Sequence, residues 1–334
     1  MLNIDVHYES AREQFIGVMR GLKDRLLQRG YRLRFYPDTA VDVRWPAGKP
    51  DGVITHQAFV VPELEHADVP VILAERLDCS ILWSRKVASW DCVKAVWKIA
   101  KSDFANQNIG AKRVHVFMLG GCVADELEPI GREVFDKIQV MPGYLHYPAM
   151  SRWLHKLFMD APGNGTPGSK SPGSKSHRRQ YDIVFRGKLD YRYDAIGEHR
   201  RSCYKAVEKS QHTRLVGRKT NRHVHDLELL DSLCCVSPWG YGELCWRDFE
   251  AAAAGCVLIK PFTPVETFPA IFAPEDTYRV CSPHWSDLDD VIDQVKADPA
   301  RHAAMVEEAR IRCRAVLDED AVIERFMPGL RALR

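Results

Sequence analysis

A chain of 334 residues, 46% hydrophobic and 28% charged, with a formal net charge of +2, has the make-up of a globular protein long enough for two cores. That balance excludes a disordered or collagen-like chain and a protein that binds polyanions through bulk charge. Ten cysteines without any C-x-x-C spacing, Cys234 and Cys235 being adjacent, indicate neither a zinc knuckle nor a disulfide framework and fit reduced, buried thiols.

The opening MLNIDVHYES lacks a basic region followed by an apolar core, and no apolar run reaches membrane-spanning length, so a cytoplasmic protein without a transmembrane segment is expected. Residues 1–150 read as alternating strands and helices. LNIDVHY is a strand, AREQFIGVMRGLKDRLLQRG a helix whose stripe runs through Phe15, Ile16, Met19, Leu22 and Leu26 to Gly30, and YRLRFYP a strand. Further strands are expected at 51–56, 69–75, 113–119 and 137–142. In a parallel sheet the strand ends form one edge, which would gather His7, Glu9, His56, Glu75 and the Gly120 and Gly121 pair.

Residues 151–180 hold a helix and then APGNGTPGSKSPGSKSHRR, whose tandem PGSKS reads as a flexible linker. Residues 181–315 form a second α/β region, from strand YDIVFRGK through helix HRRSCYKAVEKS and strand TRLVGRK. It continues past residue 233 to strand TYRVCS and helix SDLDDVIDQVKA, for which Ser286 is the expected cap. The remainder is mostly helical. Between His177 and His225 there are 13 Lys or Arg against 5 Asp or Glu, and Arg186 and Lys188 flank Gly187 at one strand end while Arg218 and Lys219 follow Gly217 at another. Strand ends of one sheet share a crevice, so these cations are candidates for a diphosphate site.

The segment LCCVSPWGYGELCWRDFEAAAAGCVLIKP, residues 233–261, is a strand, a glycine-bearing turn, a helix ended by Gly255 and a second strand: a βαβ unit of the kind that binds nucleotides. A helix beginning at Glu243 puts Glu243, Arg247 and Glu250 on one face at i, i+4 and i+7, with Cys245, Phe249, Ala252 and Ala253 on another. Glu250 lies among apolar residues, where a carboxylate needs partners, and ribose hydroxyls would serve. Gly240, Tyr241 and Gly242 let backbone approach a pyrophosphate at the helix N-terminus, and Arg247 adds a donor fork. The competing reading is a solvated Glu243 and Arg247 pair, with Glu250 bonded to a neighbouring arginine.

This segment resembles the donor-binding half of GT-B fold glycosyltransferases, bacterial group-1-like and exostosin-like members in particular, in which a proline and glycine loop leads to an R-x-F-E-A-x-x-x-G-C helix. The likeness extends over about residues 181–315. It implies an α/β protein of two Rossmann-like domains facing a central cleft, with residues 1–150 on the acceptor side and a last helix, 316–334, returning to them. It implies that Glu250 binds the ribose of a nucleoside-diphosphate-sugar, that Arg247 and the 240–243 loop face the diphosphate, and that Lys260 ends its strand near the sugar. Relatives commonly place two glutamates eight positions apart; Glu243 and Glu250 are seven apart with Gly at 242, a departure at the sugar-contacting position.

Sugar transfer of this kind uses Arg, Lys and helix N-termini at the leaving diphosphate, so neither metal nor cofactor is expected, and the D-x-D matches at 287–289 and 318–320 read as helix caps or surface. The expected acceptor is a glycan, lipid-linked or protein hydroxyl, as in polysaccharide biosynthesis, and His7, His56 and Glu75 are the candidate bases. Two alternatives are a non-catalytic nucleotide-binding protein derived from such an enzyme, and nucleic-acid binding by residues 177–225; the second leaves the glycine and helix motif unexplained.

Overall fold

The computed structural model describes residues 1–8, 14–56, 59–75, 82, 84–98, 100–101, 131–142, 149–161, 179–191, 194–240 and 242–334. Two parallel sheets organise the chain. The first contains β1 (Leu2–Tyr8), β2 (Tyr31–Pro37), β3 (Gly52–Thr55), β4 (Val71–Ala74), β5 (Val93–Lys98) and β7 (Ile138–Val140), in the order β2-β1-β3-β4-β5-β7. The second contains β8 (Tyr181–Gly187), β9 (Arg214–Arg218), β10 (Ser232–Val236), β11 (Val257–Pro261) and β13 (Arg279–Cys281), in the order β13-β11-β10-β8-β9. Both carry the near-continuous apolar runs of strands covered on two faces, such as VILA in β4 and SLCCV in β10.

The first sheet departs from the sequence expectation in two places. The 11–30 helix is divided at Leu22 into α1 (Gln14–Gly21) and α2 (Lys23–Gln28), although Met19, Leu22 and Leu26 are buried on one stripe and Gly30 adopts φ 92° after it. β5, sequence VKAVWK, was not anticipated because two lysines interrupt its apolar run; Lys98 is buried there by an ion pair with Glu75. The strand expected at 113–119, the linker at 162–178, Glu9, Gly120 and Gly121 lie outside the described residues.

The two sheets are tied together by three elements. Strands β6 (Ala100–Lys101) and β12 (Glu266–Thr267) pair antiparallel across them. Helix α5 (Ala149–Asp160), which follows α3 (Arg85–Ala88) and α4 (Arg132–Asp136), packs on the second-sheet helices, its Trp153 indole donating to Asp226 at 3.0 Å. The last helix, α11 (Glu319–Arg331), follows α6 (Asp194–Lys209), α7 (Arg222–Leu230), α8 (Trp246–Ala254), α9 (Leu288–Ala297) and α10 (Pro299–Arg314) of the second half and lies on the first sheet. Phe326 meets Trp97 edge to face at 5.1 Å, and Glu319 and Asp320 accept from Arg25.

Candidate functional site

Four segments converge at the carboxyl edge of the second sheet around a cavity of about 560 Å³. β8 ends at Gly187 and delivers Arg186, Gly187 and Lys188. After α6 (Asp194–Lys209) and β9, the chain passes Lys219 and Thr220 to Asn221, whose side chain caps α7 (Arg222–Leu230) by accepting from the Val224 amide at 2.9 Å. β10 leads through Pro238 and Gly240 to α8 (Trp246–Ala254), which ends on Gly255 at φ 74°, the left-handed conformation that suits glycine.

α8 begins later than the sequence suggests. The Cys245 amide donates to the Asp248 carboxylate at 2.7 Å, a reciprocal cap that satisfies the first turn and stops the helix from extending back. Glu243 therefore precedes the helix, buried in the loop, and shares no helical face with Arg247 and Glu250; neither it nor Gly242 lines the cavity, and Tyr241 lies outside the described residues. Gly240 does line it, its amide turned back onto the Gly242 carbonyl at 3.2 Å.

Glu250 lines the cavity although only 5% of it is exposed. Its Oε1 accepts from Arg222 and its Oε2 from His225 Nε2 at 3.0 Å, both on α7. Burial alone would raise this carboxyl, but the His225 hydrogen bond and attraction to His225 and Arg222 outweigh it and bring the pKa to about 2. The carboxylate is thus an ionised acceptor with lone pairs remaining, and the competing reading of a neighbouring arginine holds as well: Arg222 is that partner. Because Glu250 accepts on Oε2, His225 Nε2 carries the proton; His225 Nδ1 is buried without a hydrogen-bond partner. Arg222 and His225 were missed from sequence, and their i, i+3 spacing in NRHVH is the only signal that could have paired them with one carboxylate.

Among the described residues the cavity lining holds six Lys or Arg side chains against the single carboxylate of Glu250. Their roles differ. Arg186 is held by Glu228 in a two-pronged pair, Nε to Oε2 at 2.8 Å and Nη2 to Oε1 at 2.6 Å, which raises its pKa. Arg247, also buried, stacks over the Phe185 ring at 5.0 Å and donates to the Arg186 carbonyl. Lys188 and Lys219 are exposed at the rim.

Two residues expected near the diphosphate or sugar sit elsewhere. Arg218 has 71% of its side chain exposed and pairs with Asp190 at 2.7 Å outside the cavity lining. Lys260 is fully buried in an ion pair with Asp248 and reaches the Ser237 carbonyl, because the end of β11 is covered by α8 and its loop. Of the two D-x-D stretches, Asp287 and Asp318 occupy the N-cap positions of α9 (Leu288–Ala297) and α11, Asp289 accepts from Ser210, and Ser286 is not the cap. No group of three His, Cys, Asp or Glu side chains that could hold a metal occurs among the described residues.

On the first sheet, β1, β3 and β4 are adjacent, so His7, His56 and Glu75 do share one edge. Glu75 is committed: it accepts from Lys98 Nζ at 2.6 Å and from the Ser84 amide at 2.6 Å. Burial lowers the pKa of His56 against the pull of Glu75. His7 donates from Nδ1 to the Thr39 carbonyl at 2.9 Å, since a carbonyl only accepts, so its buried Nε2 carries a lone pair; burial lowers its pKa too, against that hydrogen bond.

Comparison with known proteins agrees with this architecture. Residues 201–327 match the model of the family described as glycosyl transferase-like. Among solved structures, a glycosyltransferase from Rickettsia africae is 12% identical with TM-score 0.58, covering 100% of this chain and 99% of its own. Sucrose-phosphate synthase from Thermosynechococcus elongatus is 13% identical with TM-score 0.56 and the same coverage. HepE of Anabaena, solved with UDP, is 11% identical with TM-score 0.53, covering 99% of this chain and 100% of its own. No curated protein sequence matches the chain. With its two parallel sheets and the overall likeness to these structures the chain has the GT-B fold, and residues 201–327 of its second half are similar to the glycosyl transferase-like family.

Proposed function

We propose that the protein moves a sugar from a nucleoside-diphosphate-sugar, held in the 560 Å³ cavity, to a hydroxyl of a glycan, lipid-linked or protein acceptor placed against the first sheet, and that it does so without a metal ion. The observation that carries this reading is the charge arrangement: six cationic side chains surround one carboxylate kept ionised by Arg222 and His225. Cations suit a diphosphate, and an ionised carboxylate suits the paired hydroxyls of a ribose. Guanidinium and ammonium groups supply the counter-charge for the departing diphosphate in place of a metal. HepE, solved also with UDP-glucose, makes UDP the first nucleotide to try. Of the three candidate bases, His7 is the best suited, because Thr39 fixes the tautomer that leaves Nε2 a lone pair, whereas Glu75 is held by Lys98.

The eight described cysteines are free thiols, which fits the cytoplasm, and no helix among the described residues is long and apolar enough to cross a membrane. The test is thermal: UDP, GDP and ADP are screened for a rise in Tm, since a ligand at 100 times its Kd stabilises by about 2.7 kcal/mol. A shift with at least one nucleoside diphosphate, followed by slow hydrolysis of its sugar conjugate, is expected. A shift without hydrolysis or transfer points to a non-catalytic nucleotide-binding protein, and binding that follows polyanion charge and salt alone points to nucleic acid.

A further inference from the structure

The arginines that the sequence makes conspicuous are the ones already neutralised. Arg186 is spent on Glu228, Arg218 on Asp190, and Arg222 on Glu250. Two guanidinium groups in the same cavity differ. Arg200, on α6 and 5% exposed, donates from Nε to the Lys188 carbonyl at 2.9 Å and from Nη1 to the carbonyls of Trp239 at 3.1 Å and Pro238 at 3.3 Å, and pairs with no carboxylate among the described residues. Arg247, 8% exposed, donates to the Arg186 carbonyl, and its Nε is buried without a partner. The two tips converge over Gly187, where an added Cβ would lie 2.7 Å from Arg200 Nη2 and 3.1 Å from Arg247 Nη2, so only glycine admits both. Burial first and the neighbouring Arg247 second lower the Arg200 pKa.

Two like charges, both taken out of water and without a counter-ion among the described residues, cost several kcal/mol and persist where a bound anion compensates. We infer that Arg200, braced beside Arg247, is the group that receives the charge of the leaving diphosphate, and that Arg186 and Arg218 are not. The inference rests on the functional reading above. In the transfer, the bond between the anomeric carbon and the β-phosphate oxygen breaks with its electron pair staying on oxygen. The acceptor oxygen bonds that carbon, and the acceptor proton goes to a base. The diphosphate gains one negative charge, and a guanidinium already fixed by three carbonyls meets it without reorganising. The same three bonds tie the end of β8 to the 238–240 loop, so diphosphate contact and loop position are set by one side chain.

The experiment compares UDP with UMP, which differ by the phosphate in question, by titration calorimetry on the full chain. In the parent, UDP is bound more tightly than UMP. Arg200→Gln lowers UDP affinity roughly 10- to 100-fold, leaves UMP nearly unchanged and lowers kcat/KM with UDP-sugar about 100-fold; Arg200→Lys, which keeps the charge and loses the fork, falls between. Arg186→Gln keeps the UDP to UMP ratio of the parent. Equal weakening of UDP and UMP in Arg200→Lys would show a structural role only and overturn the assignment, as would an unchanged ratio; that variant decides the matter should Arg200→Gln not fold. A parent that binds no nucleoside diphosphate overturns the functional reading itself, which separates the two failures.

Discussion

Replacing Glu250 by glutamine keeps the side-chain shape and an acceptor for His225 but removes the charge. In the native chain burial works to raise this carboxyl, and the His225 hydrogen bond with attraction to His225 and Arg222 brings it from an ordinary 4.5 to about 2. At 1.36 kcal/mol per unit, that difference ties about 3 kcal/mol of stability to the ionised form. Arg222 has 48% of its side chain exposed, so solvent screens its share, and His225, 13% exposed, holds more of it. Because the folded value lies below the unfolded one, the contribution is complete above about pH 4.5 and is lost as the pH falls from 4.5 toward 2. Urea midpoints of the parent and Glu250→Gln at pH 7, 5 and 3.5 check this. The variant is expected to be less stable at pH 7 by about 1–3 kcal/mol, with the gap narrowing below pH 4.5, and to lose nucleotide binding at every pH. A gap that stays constant with pH refutes the argument, and undiminished UDP affinity in the variant removes Glu250 from the ribose.

Further outcomes follow from single contacts. Lys98→Met leaves the buried Glu75 carboxylate without its lysine partner and lowers the unfolding free energy by about 3–5 kcal/mol, read by urea denaturation of the full chain. Gly255→Ala forces a side chain into φ 74° with its Cβ 3.0 Å from the Arg179 and Arg310 guanidinium groups, lowering stability by about 1–2 kcal/mol and therefore the melting temperature. His7→Gln lowers kcat by about 100-fold if His7 takes the acceptor proton. The imidazole lies below its usual 6.5, so parent activity persists as pH drops past 6.5 and fails only at that lower value; an acidic limb unchanged in the variant rules His7 out. Glu243→Ala, whose side chain lies off the cavity, leaves nucleotide affinity within a few-fold of the parent, and a loss equal to that of Glu250→Gln would contradict its placement.

The sequence by itself determined the segments that speak through local pattern. LNIDVHY, YRLRFYP, YDIVFRGK and GCVLIKP became strands because apolar runs bounded by turns have few other ways to be buried, and Gly255 ends its helix because that position needs a positive φ. They also placed His7, His56 and Glu75 at one edge, and brought Arg247, Glu250 and Gly240 to one cavity. Local pattern failed where a distant partner decides. β5 was illegible because Lys98 is tolerable in a core strand only with Glu75 opposite it. The start of α8 was misjudged because Cys245 and Asp248 cap it three residues after Glu243.

Charge was the least legible property. Arg186 and Arg218 looked available in the sequence and are paired, while Arg200, unremarkable within a helix, lines the cavity bonded to backbone carbonyls and to no carboxylate among the described residues. Whether a cation is spent or free depends on which carboxylate the fold brings within about 4 Å, and those partners lie 28 residues away at Asp190 for Arg218 and 42 away at Glu228 for Arg186. Spacing along the chain carries no record of such distances, so only the tertiary structure decided which arginines are paired with carboxylates and which line the cavity without one among the described residues.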